Sequence, residues 1–371
     1  MIMNEKKFKV LISGGGTGGH IFPAVSIANA LRGKYPDIEI LFVGAEGRME
    51  MEKVPAAGYN IIGLPIMGMP RKLSLKWFKF IANVIKSNRK AKKIIYDFRP
   101  DVAVGVGGYA SYPSLNAASK AGVPCLLQEQ NSYPGVVNKK LANKVRKICV
   151  AYDNMDRFFP AQKIMKTGNP VRQDISNISS KRAEALEFFG LEADKPIVLV
   201  VGGSLGARTI NESIAGGLQN FADAGVQLIW QTGKGYIETA RSIVGQQKKG
   251  LYVNDFIYKM DLAFAAADVI VSRAGASTIS ELCIVGKPVV FVPSPNVAED
   301  HQTKNAMALV NKEAAIIVKD TDARNTLVDK TLKLVSDMPQ RDLLSQNIKK
   351  LELLDAANVI AEEVYKLAYE K

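Results

Sequence analysis

The sequence has few cysteines and no long apolar run. Only three cysteines, Cys125, Cys149 and Cys283, occur among 371 residues, and no two form a C-x-x-C pair. We therefore expect neither a disulfide framework nor a structural zinc site. We expect the protein to lie in a reducing compartment such as the cytosol. The apolar stretches are shorter than the roughly 18 consecutive residues of a membrane-spanning helix, and the N-terminus lacks the apolar core of a signal peptide. We expect a protein that is soluble or rests on a membrane surface.

Acidic residues are scarce in the first half of the chain. Residues 1–170 contain 26 basic and 11 acidic residues, whereas the remainder contains 23 and 25, so the whole excess of +13 comes from the first half. Such asymmetry indicates an anionic partner for that half, which could be nucleic acid, a phosphorylated substrate or a membrane surface.

Short apolar runs rich in β-branched residues alternate with segments of helical length. Ten runs are predicted as buried strands: 8–13, 38–44, 101–106, 124–129, 147–152, 196–201, 226–231, 268–272, 288–293 and 314–318. Alternation of this kind is typical of a parallel sheet covered by helices on both faces. Ten strands exceed one such domain, so we predict an α/β fold with two Rossmann-like, doubly wound domains and a cleft between them.

The domain boundary is predicted near TGNPVR (167–172), where glycine and proline precede a polar stretch. We therefore assign residues 1–167 to an N-terminal domain and residues 168–338 to a C-terminal domain. Residues 339–371 read as a helical segment, which we expect to pack back on the N-terminal domain.

Three glycine clusters follow predicted strands, at residues 14–20 (GGGTGGH), 105–109 (GVGGY) and 202–206 (GGSLG). Glycine lets the backbone approach a ligand closely, and amides at a helix N-terminus favour phosphate. The first cluster matches G-x-G-x-x-G, which is also compatible with a plain turn or with NAD. A dinucleotide site needs an acidic residue about 20 positions after the glycine loop to bind the ribose. Glu46 lies further along the chain than that.

Polar residues at other strand ends are candidates for ligand contacts. Arg172 could pair with a diphosphate, and Glu281 could accept hydrogen bonds from ribose hydroxyls, although a solvated surface glutamate is the alternative. The run 299–302 (EDHQ) has side chains that could hydrogen-bond a ligand at another strand end. The alternative is that it is an ordinary helix N-terminus. His20 ends the first glycine cluster, where it could serve as a general base. No cluster has metal-site spacing, so no catalytic metal is predicted.

Ten basic residues and a single acid lie within residues 71–99. At helical spacing, Leu73, Trp77, Phe80, Ile81 and Val84 share one face, and lysines including Lys76 and Lys79 lie opposite it or flank it. This pattern fits a helix in an anionic membrane interface, with Leu73, Lys76, Trp77, Lys79 and Phe80 facing the membrane. A helix packed on the sheet is the alternative. No RNA-binding signature accompanies the charge, so nucleic acid is not predicted.

Seven motifs together carry a family resemblance: GGGTGGHIFPA, GVGGYASYP, EQNSYPG, GNPVR, VGGSLGARTIN, RAGASTISE and DHQTKNA, in this order along nearly the whole chain. The chain resembles the MurG family of peptidoglycan glycosyltransferases. Positions 301–302 read His-Gln where some members have Gln-Gln.

The resemblance implies a GT-B fold and an enzyme that takes N-acetylglucosamine from UDP-N-acetylglucosamine. The acceptor would be the undecaprenyl-diphosphate-linked muramyl-pentapeptide of peptidoglycan synthesis, the process that supports cell shape and division. Transfer would be inverting and would need no cofactor or metal. We predict His20 as the base, with glutamates and aspartates near the cleft as the alternatives. The enzyme would be a peripheral protein on the cytoplasmic face of the cell membrane, with further partners expected among cell-wall synthesis proteins.

The resemblance also implies which residues contact the donor. Arg172 and Ser204 would contact UDP, Ile257 would meet the uracil through its backbone, and Glu281 would hold the ribose. The remaining contacts would come from Ala276, Ser277, Thr278, Ile279 and Ser280 before Glu281, from Gln302, and from Thr17, Gly18, Gly19 and Asn131 of the N-terminal domain.

Three other functions are compatible with parts of the pattern. A UDP-sugar epimerase shares the two-domain design but lacks a lipid acceptor. An NAD-dependent oxidoreductase would use the G-x-G-x-x-G loop alone. A non-catalytic basic protein would bind RNA or anionic lipid through residues 71–99.

Overall fold

The computed structural model describes residues 7–67, 76–171, 175, 178–245 and 249–369. The chain forms two compact units, one made of Met1–Val171 with Leu354–Lys371 and the other of Arg172–Leu353. Two residues predicted to contact membrane or substrate, Leu73 and Arg172, lie outside the described residues, as do the side chains of Lys76 and Lys79.

Strands and helices alternate along the first unit, as the sequence predicts. Within the described residues its strands are β1 (Lys9–Ser13), β2 (Glu39–Ala45), β3 (Asn60–Leu64), β4 (Val102–Gly105), β5 (Cys125–Glu129), β6 (Lys147–Val150) and β7 (Ile164–Lys166). Its helices before the second unit are α1 (Gly18–Lys34), α2 (Glu50–Ala56), α3 (Lys76–Phe98), α4 (Ser111–Lys120) and α5 (Val136–Leu141).

The sheet of the first unit has the order β3-β2-β1-β4-β5-β6-β7, and its strand pairs are parallel. Leu11 of β1 is in register with Leu41 of β2 and Ala103 of β4. After β1 the chain adds β2 and β3 on one side of β1, and it then returns to add β4 on the other side of β1. A topological switch point therefore lies between β1 and β4, where ligands of such sheets bind.

The second unit repeats this plan. Its strands in the described residues are β8 (Ile197–Val201), β9 (Gln227–Gln231), β10 (Leu251–Asn254), β11 (Val269–Ser272), β12 (Val289–Phe291) and β13 (Ile316–Ile317). Its helices there are α6 (Arg182–Phe189), α7 (Arg208–Gly216), α8 (Leu218–Asp223), α9 (Ile237–Val244), α10 (Met260–Ala266), α11 (Ala276–Val285), α12 (His301–Val310), α13 (Ala323–Ser336) and α14 (Met338–Lys349).

The second sheet has the order β10-β9-β8-β11-β12-β13, again with parallel pairs. Leu199 of β8 is in register with Ile229 of β9 and Ile270 of β11. The switch point of this unit therefore lies between β8 and β11. The two parallel, helix-covered sheets confirm the predicted α/β class with two doubly wound domains.

Three strands escape the sequence patterns, and each lies at the edge of a sheet. β3 and β7 close the two edges of the first sheet, and β10 closes one edge of the second. All three contain partly exposed positions, so they lack the continuous apolar run of a buried strand. The helix after the GGSLG loop begins only at Arg208, because Gly206 adopts a φ of +77° in that loop.

The structure divides the helical segment predicted at 339–371. α14 belongs to the second unit, where Leu344 joins the hydrophobic core and Lys349 Nζ donates to the Ile284 carbonyl at 2.7 Å. The last helix, α15 (Ala356–Tyr369), belongs to the first unit, where Ile360 and Val364 are buried in the core shared with α1.

The two halves of α3 have different environments. In the C-terminal half, Ala91, Ile94 and Ile95 are buried in the core of the first unit. In the N-terminal half, Ile81, Val84 and Ile85 are exposed, with exposed fractions of 50%, 42% and 48%. The rings of Trp77 and Phe80 pack edge to face, with centroids 5.6 Å apart. An apolar surface therefore remains on the N-terminal half of α3.

Candidate active site

The predicted site motifs follow the strands that flank the two switch points. In the first unit, the GGGTGGH loop follows β1 and the GVGGY loop follows β4. In the second unit, the GGSLG loop follows β8 and the RAGAST segment follows β11. Because the carboxyl ends of parallel strands share one edge, each pair of loops meets at the edge of its own sheet.

The first two glycine loops touch each other through their backbones. A Cβ on Gly14 would lie 2.1 Å from Val106 Cγ2, and one on Gly108 would lie 2.3 Å from the Gly15 carbonyl oxygen. Gly108 also has a φ of +83°. Ser111 ties the loops together, since its hydroxyl is 2.8 Å from both the Ser13 and the Gly107 carbonyl oxygens. Glycine at these positions permits a contact that a side chain would prevent.

His20 lies between the two loops. Its Nδ1 is 3.1 Å from the Gly15 carbonyl oxygen and 3.3 Å from the Thr17 hydroxyl. A Cβ on Gly107 would lie 2.8 Å from His20 Nε2, so this nitrogen sits above a residue without a side chain. Thr17 and Gly19 are exposed, while Gly18 and His20 are half-buried in the first turn of α1.

The EQNSYPG motif reaches the same edge of the first sheet. Gln130 Nε2 donates to the Val106 carbonyl at 2.9 Å, which links this motif to the second glycine loop. Asn169 of the GNPVR motif donates from Nδ2 to the Gln130 carbonyl at 3.0 Å and accepts from Gln128 Nε2 at 2.8 Å. Three motifs that are distant in sequence are thus joined by hydrogen bonds at one sheet edge, and the first glycine loop contacts the second glycine loop.

Asn131 is held in place by the buried carboxylate of Glu129. The Glu129 oxygens accept hydrogen bonds from the Asn131 backbone at 2.9 Å, from Asn131 Nδ2 at 3.2 Å, from the Gly135 backbone at 3.2 Å and from Asn138 Nδ2 at 2.8 Å. Burial raises the pKa of Glu129, while these four donors act in the opposite direction.

In the second unit, Gln231 connects two predicted donor contacts. Its Nε2 donates to the Gly203 carbonyl at 3.0 Å, next to the exposed Ser204. Its Oε1 accepts from the Ile257 N–H at 2.9 Å. The side chain of Ile257 is buried and its N–H is engaged by Gln231, which leaves the backbone carbonyl as the group it can offer to a ligand.

Helix α11 carries most of the remaining predicted contacts. Gly275 is its extended N-cap, and Ala276, Ser277 and Thr278 form the first turn, whose amides lack intrahelical acceptors. Among the described residues, the buried Ser277 hydroxyl has no hydrogen-bond partner. Such an unsatisfied group at a helix N-terminus favours a polar or anionic ligand.

Not every predicted residue of α11 offers its side chain to a ligand. Glu281 lies in the second turn and is half-buried, and the Ser280 hydroxyl donates to the Ala276 carbonyl at 3.2 Å. Ile279 instead packs in the interior, and its N–H donates to the Gly275 carbonyl at 2.9 Å to close the first turn.

The loop between β12 and α12 positions Gln302. Gln302 Oε1 accepts from the Ser294 N–H at 2.8 Å, so its amide NH₂ is the donor that remains for a ligand. Glu299 and Asp300 both adopt positive φ values, 54° and 51°. Two adjacent non-glycine residues in this region store backbone strain, which is typical of segments held for function.

Four residues that support these loops are absent from the sequence-based prediction: Glu50, Glu129, Gln231 and Arg273. Each acts on a loop backbone rather than on a ligand. Glu129 and Arg273 are the first residues of the EQNSYPG and RAGASTISE motifs but are not predicted to contact a ligand, and Glu50 and Gln231 lie outside the seven motifs. Glu46, the acid considered for an NAD ribose, instead forms an ion pair with Lys90 of α3 at 2.8 Å.

Neither a thiol nucleophile nor a metal cluster emerges from the described part of the chain. Burial raises the pKa of Cys125, Cys149 and Cys283 to about 12, which keeps these thiols protonated and unreactive. Across residues 7–67, 76–171, 178–245 and 249–369, no three His, Cys, Asp or Glu side chains come together to hold a metal ion.

Two family models match the chain. The model described as the glycosyltransferase family 28 N-terminal domain matches residues 10–150, and the model for the C-terminal domain of the same family matches residues 197–362. The matched segments contain the site motifs described above except GNPVR, which lies at residues 168–172 between them.

Curated relatives match over nearly their full length. A protein of Parabacteroides distasonis is 56% identical over 367 residues, covering 99% of this chain and 100% of that protein. One of Phocaeicola vulgatus is 58% identical over 366 residues, covering 98% and 97%. Both are named UDP-N-acetylglucosamine–N-acetylmuramyl-(pentapeptide) pyrophosphoryl-undecaprenol N-acetylglucosamine transferase.

Solved structures share the fold. Acinetobacter baumannii MurG superposes with a TM-score of 0.80 at 27% identity, covering 97% of this chain and 99% of that one. A UDP-N-acetylglucosamine 2-epimerase superposes with a TM-score of 0.64 at 16% identity, covering 97% and 96%. At that identity the second likeness concerns the fold alone.

Proposed function

This chain belongs to glycosyltransferase family 28, and we infer from that membership that it transfers N-acetylglucosamine from UDP-N-acetylglucosamine to undecaprenyl-diphosphate-linked N-acetylmuramyl-pentapeptide. The observation that carries the proposal is the pair of motif-bearing sheet edges, one in each unit, together with relatives of that name that match from end to end. The second unit takes the nucleotide sugar, and the first unit takes the acceptor.

The donor is held at the β8–β11 edge. The uracil pairs with the Ile257 carbonyl, Glu281 accepts from the ribose hydroxyls, and Gln302 donates from its amide to the sugar. The diphosphate lies against the first turn of α11, where the Ser277 hydroxyl and the helix amides can donate to its oxygens. Ser204 and Arg172 add contacts to the UDP, and Thr17, Gly18, Gly19 and Asn131 reach the sugar.

Transfer proceeds by direct displacement with inversion. The acceptor hydroxyl attacks the anomeric carbon, the bond from that carbon to the UDP oxygen breaks, and UDP leaves with the electron pair. His20 Nε2 accepts the hydroxyl proton, a role supported by its place above Gly107. Amides and helix dipoles stabilise the charge that develops on the leaving diphosphate.

The first unit meets the acceptor at a membrane surface. Support comes from the exposed Ile81, Val84 and Ile85 of α3 and from the exposed Lys86 and Arg89 on the same helix. Apolar side chains insert into the interface while basic residues attract anionic headgroups. No helix in the described ranges is long and apolar enough to cross a bilayer. With this surface of α3, the protein is proposed to bind as a peripheral protein at the cytoplasmic face, where UDP-sugars are available.

Incubation with labelled UDP-N-acetylglucosamine and a short-chain lipid-linked muramyl-pentapeptide tests this function. We expect label in a disaccharide lipid whose new linkage has the anomeric configuration opposite to that of the donor, and we expect EDTA to leave the rate unchanged. Absence of the labelled lipid with folded protein would refute the proposal. If EDTA abolishes activity and a divalent cation restores it, the metal-free mechanism is refuted but the proposed transfer reaction is not.

A further inference from the structure

A buried carboxylate lies behind the first glycine loop. Glu50 opens α2 and is 1% exposed. Its Oε1 accepts from the Ala45 N–H at 2.9 Å, and its Oε2 accepts from the Gly16 N–H at 2.9 Å. A Cβ on Gly15 would lie 2.2 Å from Glu50 Oε1, and one on Gly44 would lie 2.6 Å from its Cγ. Two glycines thus make the space that the carboxylate occupies.

The same peptide group that Glu50 binds is also bound by His20. The Gly16 N–H and the Gly15 carbonyl belong to one peptide unit, and His20 Nδ1 is 3.1 Å from that carbonyl oxygen. A carbonyl oxygen can only accept, so a hydrogen bond between these two atoms requires the proton of the neutral ring on Nδ1 and leaves the lone pair on Nε2. A chain of hydrogen bonds therefore runs from the carboxylate through one peptide to the imidazole.

We propose that Glu50 is a positioning residue that sets the tautomer of His20 through the Gly15–Gly16 peptide. An ionised acceptor on the N–H polarises the peptide and strengthens its carbonyl as an acceptor for Nδ1–H. The arrangement corresponds to the carboxylate that orients a catalytic histidine, with a peptide inserted between the two side chains.

The Thr17 hydroxyl is the group that competes with this arrangement. It lies 3.3 Å from His20 Nδ1 and can donate to that nitrogen when Nδ1 is unprotonated. That alternative would put the proton on Nε2 and remove the lone pair that the acceptor hydroxyl needs. Glu50 favours the Nδ1–H form by making the Gly15 carbonyl the stronger partner. The proposal rests on the proposed function only in assigning Nε2 as the base.

The tautomer can be measured directly, because the sequence contains only His20 and His301. Long-range ¹H–¹⁵N correlation spectra of the full chain labelled with ¹⁵N-histidine, recorded at about pH 8.5 where the ring is neutral, identify the protonated nitrogen. His301→Gln assigns the signals. We expect Nδ1–H at His20 in the unaltered protein, and an Nε2–H tautomer at His20 in the unaltered protein would overturn the proposal without any Glu50 variant.

Glu50→Gln provides the second arm, and Glu46→Gln, which alters an exposed glutamate after the same strand, is the matched control. We expect Glu50→Gln to move His20 toward Nε2–H and to lower kcat by roughly 10- to 100-fold with little change in donor KM, while Glu46→Gln changes neither. A lower kcat with an unchanged tautomer would mean that Glu50 only supports the loop, and would overturn the proposal. Full activity of His20→Ala would refute the assignment of His20 as the base. The His20 tautomer, measured with and without Glu50→Gln, would still test the role of Glu50.

Discussion

The guanidinium of Arg273 donates to the Asp320 carboxylate, with Nη1 2.5 Å from Oδ1, and the same nitrogen donates to the Val292 and Pro293 carbonyls at 2.9 and 3.1 Å. Both side chains of the ion pair are largely buried, at 14% and 17% exposure. Arg273 thereby joins the end of β11 to the loop that leaves β12, and Ser294 of that loop donates to Gln302 at the start of α12. The pair fixes the spacing between the α11 N-terminus and the Gln302 loop.

We expect Arg273→Met to lower the free energy of unfolding by about 3 kcal/mol, because it removes the cation paired with the buried Asp320 carboxylate and leaves, among the described residues, only the Thr209 hydroxyl as a donor to it. Arg324→Met is the matched control, since Arg324 pairs with Glu212 at the surface and its loss should cost under about 1 kcal/mol. Urea unfolding measures both values. Equal effects of the two substitutions would show that the buried pair has no special role.

Glu281→Ala should raise the donor KM with a much smaller effect on kcat. Losing hydrogen bonds to a charged acceptor costs about 2 kcal/mol, or roughly thirtyfold in affinity. Glu238→Ala, at an exposed position of α9, should leave the KM unchanged. A donor analogue without ribose hydroxyls provides a second check, because it should bind the unaltered protein and Glu281→Ala equally. The unaltered protein should prefer the parent donor to this analogue. If Glu281→Ala shows the same preference, Glu281 does not contact the ribose.

The exposed apolar surface of α3 should be needed for vesicle binding. Replacing Ile81 and Ile85 with serine removes apolar area that would insert into the interface, so we expect roughly tenfold weaker sedimentation with anionic vesicles. Leu343→Ser, at an exposed position of α14 in the second unit, should have no effect. Activity on a short-chain acceptor in solution should be retained. If the substitutions in α3 and in α14 weaken vesicle binding equally, α3 does not form a specific membrane-binding surface.

The three cysteines should be inert in the folded protein. Because burial raises the pKa of Cys125, Cys149 and Cys283 from 9.0 to about 12, little thiolate is present at about pH 8. We expect no alkylation by iodoacetamide until denaturant is added, and then three labels by mass spectrometry. Since the folded thiols keep protons that the unfolded thiols release, the free energy of unfolding should fall as pH rises from 9.0 toward about 12. Rapid labelling of the native protein would contradict this.

Central strands and glycine loops could be predicted from the sequence because their determinants are local. β1 and β8 are buried on both faces and read as apolar runs, and the glycines after them are required by close backbone contacts such as that of Gly108 with Gly15. The edge strands β3, β7 and β10 could not be predicted, since partial exposure removes the apolar run. The family resemblance carried by seven ordered motifs is confirmed by the full-length relatives.

The supporting residues of the site escaped prediction for a different reason. Glu50 is an ordinary acid at the start of a helix until the fold places Gly15 and Gly44 against it. Arg273 meets Asp320 from 47 positions away, and Gln231 reaches Ile257 from 26 positions away. Contacts of this kind depend on which strands become neighbours, which no local pattern specifies.

Acceptor-dependent release of UDP tests the proposed glycosyl transfer most directly. UDP and disaccharide lipid are quantified from one reaction that contains UDP-N-acetylglucosamine, with and without the lipid-linked muramyl-pentapeptide. We expect one UDP for each disaccharide lipid when the acceptor is present, and neither product when it is omitted. Release of UDP together with free N-acetylmannosamine in the absence of acceptor would contradict transfer and would instead indicate an epimerase.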